Sequence, residues 1–235
     1  MLQRTLSVSA VATLLAFTGG VSARAADEIF TVRVENVSAA NLLKLSNGQT
    51  SSVTLGPVLY LIHTNRGPLF TSGEPDRGQG LEALAEDGPA KPLAESLKGQ
   101  PGIVHVGFSP GVVRSGDVYE FKVIGKPGER LTIATMFGQS NDLFYSPQEE
   151  GIALFDTTGK PIAGDVTSQI LLWDAGTEIN EEPGLGPNQP TFALNTGLAE
   201  HGVVRPISEV KDGFHYPTVA EVLRVTITPG PAATR

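Results

Sequence analysis

Cysteine is absent from all 235 residues. No disulfide can staple the chain and no thiol can serve as a nucleophile. Stability must come from the chain's own core, with a bound metal as a supplement. Basic residues are few, with 17 Lys and Arg against 25 Asp and Glu. That balance argues against DNA or RNA as a partner, because phosphate binding needs a basic face. It suits a soluble chain or one that takes up cations. Long apolar runs are missing beyond the N-terminus, so no membrane span is expected in the mature chain. Recognisable catalytic chemistry is thin too. No His-Glu-x-x-His, dinucleotide-binding loop or Walker A sequence occurs, and no segment is read as a nucleophile elbow. The four histidines, His63, His105, His201 and His215, contain no i,i+4 pair. The expectation is a non-enzymatic protein. A hydrolase assembled from His105, His215 and a carboxylate is the enzymatic alternative.

What is present begins with an export pattern. Arg4 precedes an apolar stretch over residues 6–21, and Ala23-Arg24-Ala25 follows as a small-x-small site. This is the tripartite form of a cleavable signal peptide, residues 1–25. The destination is secreted or periplasmic. Removing Arg4 and Arg24 leaves 15 basic residues against 25 acidic ones, a net charge of −10.

The mature chain reads as strands separated by turns. Residues 29–36 alternate, with Phe30, Val32 and Val34 on one face. Further strands are expected over residues 58–63, 103–108, 117–124, 130–137, 151–155, 166–173 and 219–228. Asn47-Gly48 marks a turn. Residues 125–129 form a compact turn that predicts a hairpin between its flanking strands. Between Gly80 and Gly99 the period changes to helical, giving two short helices or one broken helix. The fold class is all-β with a short helical insert, arranged as an antiparallel β-sandwich. One domain spans residues 26–228, and residues 229–235 form a tail.

Chemistry concentrates at residues 171–184. An apolar strand ends in Trp173, the single Trp, and runs into an acidic loop. Asp174, Glu178, Asn180 and Glu182 place four oxygen-donor side chains within nine positions. Ca2+ wants six to eight oxygens, from carboxylates, carbonyls and water. Gly176 would permit the tight turn after Asp174. The spacing is not that of an EF-hand, because Gly176, Ile179 and Leu185 fall where ligand or turn residues belong. Other loops must therefore contribute. Residues 138–144 supply a second polar turn, in which Asp142 precedes apolar residues. A solvated acidic face and ordinary Asx-turn chemistry are the plain alternatives.

Four segments together resemble the spondin N-terminal domain family. Ser140-Asn141-Asp142-Leu143-Phe144 is similar to its Ser-x-Asp-Trp-Phe turn. Leu172-Trp173-Asp174-Ala175-Gly176-Thr177-Glu178 is similar to its Trp/Tyr-Asp-Ala-Gly-Thr-Asp/Glu motif. Phe214-His215-Tyr216-Pro217 with the following strand resembles its closing segment. Residues 80–88 resemble its Gly-Leu-x-x-(Leu/Phe)-Ala-Glu-x-Gly helix. The resemblance implies a sandwich resembling C2 domains that binds Ca2+ near one end. By motif match, Asp174 and Glu178 become candidate metal ligands, together with Asp142. The paired acidic turns and the resemblance together lead to the expectation of a binding or adhesion module for an unidentified extracellular protein or glycan, while the biology of eukaryotic members, which sit beside thrombospondin repeats, does not transfer. Two departures stand out: Leu143 occupies a Trp position, and the cysteines of eukaryotic members are absent. A structural domain whose acidic loop only stabilises the fold is the alternative.

Overall fold

The structure, a computed structural model, describes residues 27–194 and 196–230. The expected signal peptide and residues 231–235 of the expected tail lie outside the described residues. In chain order the elements are β1 (Glu28–Asn36), β2 (Leu43–Lys44), β3 (Thr50–Ser51), β4 (Leu59–His63), α1 (Leu81–Glu86) and α2 (Lys91–Leu97). They continue with β5 (Ile103–Phe108), β6 (Val118–Gly125), β7 (Arg130–Met136), β8 (Leu143–Pro147), β9 (Ile152–Ala153) and β10 (Gly164–Asp165). The last four are β11 (Ile170–Asp174), β12 (Arg205–Pro206), α3 (Val219–Val222) and β13 (Leu223–Pro229).

The strands form an antiparallel β-sandwich. One sheet has the order β10-β13-β1-β6. The larger has the order β12-β11-β8-β7-β4-β5, with β9 added on β7. Alternation in β1 buries Phe30, Val32 and Val34 and leaves Arg33 outside. These residues meet Leu131, Ile133, Tyr145 and Leu172 of the large sheet in the main core. Each fully buried side chain of this size contributes about 1.5–3 kcal/mol.

The large sheet is covered on its other face as well. Leu81, Leu84 and Ala85 of α1 and Leu93 and Leu97 of α2 pack on Leu59, Leu61, Ala134, Phe144 and Trp173. The molecule thus has three layers: small sheet, large sheet, helices. Burial on both faces explains why β8 is buried at every position, Ser146 included. Gly88, at φ 94°, and Pro92 in the first turn of α2 break the helical insert in two. Gly99, at φ 80°, follows the end of α2.

Several expectations need correction. Residues 125–129 do not close a hairpin. β6 pairs with β1, whereas β7 pairs with β4, β8 and β9. The turn carries the chain from one sheet to the other, and turn chemistry is the same for both jobs. The strand expected over residues 219–228 opens instead with the helical turn α3. Thr218 and Glu221 form a reciprocal capping box there. It then runs on through Pro229, which pairs with Phe30. The strand expected from residue 166 starts at Ile170, after a 3-10 turn over Thr167–Gln169. β8 was hidden at the end of what reads as a polar turn.

Candidate metal centre at one end of the large sheet

Register brings the two polar segments together. Antiparallel pairing of β8 with β11 sets Asp174 opposite Leu143, beside Asp142. Pairing of β11 with β12 sets Arg205 directly across from Asp174. The last residue of one strand, the residue before another and a cross-strand arginine therefore share one end of the sheet.

The Ser140-Asn141-Asp142 turn then grips the acidic loop. Ser140 Oγ donates to the Phe137 carbonyl (2.6 Å) and accepts from the Leu143 N–H (3.1 Å), which closes the turn. Asn141 Nδ2 donates to the Ile179 carbonyl (2.8 Å), and its Oδ1 accepts the Glu181 N–H (3.2 Å). Asp142 Oδ2 accepts the N–H groups of Thr177 and Glu178, both at 3.1 Å. Asp142 Oδ1 is buried without any partner among the described residues.

Asp174 is equally buried. Its Oδ1 accepts the Gly176 N–H at 2.6 Å. Its Oδ2 accepts from Asn180 Nδ2 (3.1 Å) and from Arg205 Nε (3.2 Å) and Nη2 (3.1 Å). The same Nη2 donates to Glu200 Oε1 at 2.6 Å, while Glu200 Oε2 has no partner. Gly176 is required here. It lies at φ 68°, and a Cβ would fall 2.5 Å from the Val203 nitrogen. That close approach lets residues 199–203 run beside residues 176–178, with Glu178 bridging to Ala199. Glu200 reaches the centre by this route. Its neighbour His201 is held at φ 57°, the one non-glycine at positive φ among the described residues.

Asp142, Asp174 and Glu200 each bring a carboxylate oxygen within 4.8 Å of the others. Oxygens on opposite sides of one Ca2+ are separated by about 4.6–5.2 Å. Three carboxylates against Arg205 leave a net charge of −2, which one divalent cation neutralises. Burial raises the Asp142 carboxyl well above its ordinary range, and the charges of Asp174 and Glu200 push the same way, against the two backbone donors. Asp174 is raised by burial, opposed by the Gly176 N–H and by Arg205. The residues fit a hard cation: the donors are all oxygens, two of these oxygens have no partner, and the charge is in deficit. Solvent can reach the centre from the side of Glu200 and Arg205, whose side chains are 25 % and 28 % exposed.

The expected ligands divide. Asp142 and Asp174 converge. Glu178 does not join them, because its backbone rather than its carboxylate faces Asp142, and its carboxylate lies against Gly197. Glu200 takes the third place. No periodic signal marks it, since its position depends on a long-range bridge. Asn180 binds Asp174, and Glu182 instead accepts from Ser46 N–H and Oγ, both at 2.6 Å, tying the β2–β3 hairpin down.

Contrary to the expectation that no nucleophile elbow occurs, residues 107–111 spell Gly-x-Ser-x-Gly. Ser109 is buried, accepts the Val58 N–H (2.9 Å) and donates to the Gly111 carbonyl (2.8 Å). Pro110 follows it and has no N–H to offer an oxyanion. The His105 ring lies tilted against Tyr60, with centroids 5.8 Å apart, whereas His215 lines a separate cleft with Lys44 and Glu221. Among the described residues no helix is long and apolar enough to cross a membrane. In comparisons with known proteins, no family model matches the chain and no curated protein matches it.

Proposed function

We propose that the protein is an exported, non-enzymatic calcium-binding module of the spondin N-terminal type. Asp142, Asp174 and Glu200 would hold the ion, and Arg205 would balance the residual charge. The observation that carries this reading is Asp142 Oδ1, a fully buried carboxylate oxygen with no donor among the described residues, on a side chain grouped with two other carboxylates within 4.8 Å. A bound cation would satisfy it. The loop that follows supports a binding role. Ile179, Phe192, Leu194 and Leu198 are each more than half exposed there. Four exposed apolar side chains along one loop favour a partner surface, and an extracellular protein or glycan is the proposed class.

Calorimetric titration of the mature protein with Ca2+ tests the metal. Binding at this centre should disappear in Asp174→Ala. Wild-type protein that binds no Ca2+ at millimolar concentration would overturn it. The alternative of a purely structural loop draws on Asp174, whose two oxygens already accept four hydrogen bonds.

A further inference from the structure

The small sheet ends in β6, which pairs with β1 on one side and with no strand among the described residues on the other. Sheet edges are commonly blunted by short strands, proline or bulges. β10 and β12, at two of the other edges, are two residues long. β5 has six residues and no Lys, Arg, Asp or Glu to fix a register. β6 has eight residues, no proline and no register shift against β1. The backbone of β6 is also oriented for a further strand. The Asn36 N–H donates to the Asp117 carbonyl (3.0 Å), while on the far side of β1 the Val37 N–H donates to the Val222 carbonyl (2.8 Å). Hydrogen-bonded positions alternate along an antiparallel pair, so Tyr119, Phe121 and Val123 turn their backbone groups to β1. Val118, Glu120, Lys122 and Ile124 turn theirs to the open side. The same four residues carry the exposed side chains of the strand, with Val118 40 % and Ile124 54 % exposed.

That row reads apolar, acid, base, apolar, and an antiparallel copy of itself complements it. We propose that the protein forms a two-fold dimer by antiparallel pairing of β6 with β6 of a second copy, centred on Phe121, so that the two small sheets become one. Glu120 then lies opposite the partner's Lys122, and Val118 opposite the partner's Ile124, each pair occurring twice. Sliding to the next registers that still match the outward backbone groups moves the axis to Glu120 or to Lys122. Either shift sets like charges directly opposite, which is unfavourable. The outer face of the small sheet already uses opposite-charge pairs across its strands. Arg224 pairs with Glu35 across β13 and β1 (2.9 Å), and Arg33 with Glu120 across β1 and β6 (3.0 Å). Lys122 instead lies opposite Thr31 and takes no ion pair among the described residues. The partner's Glu120 supplies its missing counter-charge. The chain carries a net charge of −8, but the one acid and one base of β6 cancel, so this edge does not repel its copy. On the inner face, Tyr119 and Phe121 are in ring contact at 5.5 Å, and the partner's Val123 and Phe121 extend that apolar row. The interface is isologous and shares no residue with the Asp142 centre.

Sedimentation equilibrium of the mature protein from micromolar to millimolar concentration tests this, with wild type, Lys122→Glu, Glu120→Lys and an equal mixture of the two variants. Wild type should pass from monomer to dimer as concentration rises. Each variant alone opposes like charges at both pairs and should associate about tenfold or more weakly. The mixture should regain dimer, because glutamate then meets lysine at both pairs. Melting of each variant checks its fold, and a variant that had merely unfolded would not regain pairing on mixing. Wild type that stays monomeric at millimolar concentration would overturn the dimer. So would a dimer that both variants form as tightly as wild type, which would lie on another surface, or a mixture no tighter than either variant alone.

Discussion

Asp142 has no exposed surface and one oxygen without a partner. A buried, unpaired carboxylate is destabilising unless a proton or a cation joins it. The sign of the pH effect follows. The folded-state affinity for protons exceeds the unfolded one, so between about pH 4 and the raised folded value the native state binds more protons. Stability from this group is then present at low pH and lost as pH rises. Glu86, raised to about 7, acts in the same direction up to that pH. His63 acts oppositely, because burial between Asn65 and Thr132 keeps it neutral and favours higher pH. Comparing wild type with Asp142→Asn in chelator isolates the carboxylate. The variant should melt higher at pH 7.5, by an amount equivalent to roughly 1–3 kcal/mol, and this advantage should vanish near pH 4. Added Ca2+ should raise the wild-type melting temperature and leave less effect in the variant. Equal melting of the two proteins in chelator at both pH values would mean that Asp142 carries no penalty to relieve.

Residue identity was legible where backbone chemistry is local. Gly176 is needed for the turn after Asp174, and Asp142 lies beside the core. The direction of a side chain was not. Glu178 shares a motif with Asp174, yet the bridge to Ala199 turns its carboxylate elsewhere. Asn36 illustrates the same limit. It sits in an Asn-x-Ser sequence, but its amide is buried and donates to the carbonyls of Val53 (2.9 Å) and Val113 (2.8 Å), which closes it to modification.

At the scale of elements, period and punctuation were enough for β1, β4, β5, β6, β7 and the α1–α2 insert. Pairing partners were not, because the turn after β6 has the composition of a hairpin and the function of a crossover. The start of β13 lies four residues later than alternation alone suggests, and the cue is visible: Thr218 followed three residues later by Glu221 is a helix-start signature. That cap matters for the site's surroundings, since Val222 of α3 belongs to the main core. Thr218→Ala should cost about 1 kcal/mol in denaturant unfolding and leave Ca2+ binding unchanged. A loss of binding in that variant would tie α3 to the metal centre in a way the contacts do not suggest.

Over the whole molecule, composition pointed to a cysteine-free sandwich, and the sandwich is there. The third layer was not foreseen. Seeing it requires knowing that α1 and α2 lie on the outer face of the large sheet, a matter of long-range contact rather than of local pattern. The layering also answers how an uncrosslinked chain holds together, because apolar contacts cover both faces of the large sheet. The proposed export would deliver an acidic protein to fluids richer in Ca2+ than cytosol, where even a modest oxygen site fills. Phasing a crystal grown with millimolar Ca2+ tests the central proposal most directly. An ion should appear at about 2.3–2.6 Å from Asp142 Oδ1, with Asp174 and Glu200 completing the carboxylate set. An Asp142–Asp174–Glu200 centre without an ion under those conditions, with Arg205 still bridging Asp174 and Glu200, would contradict it.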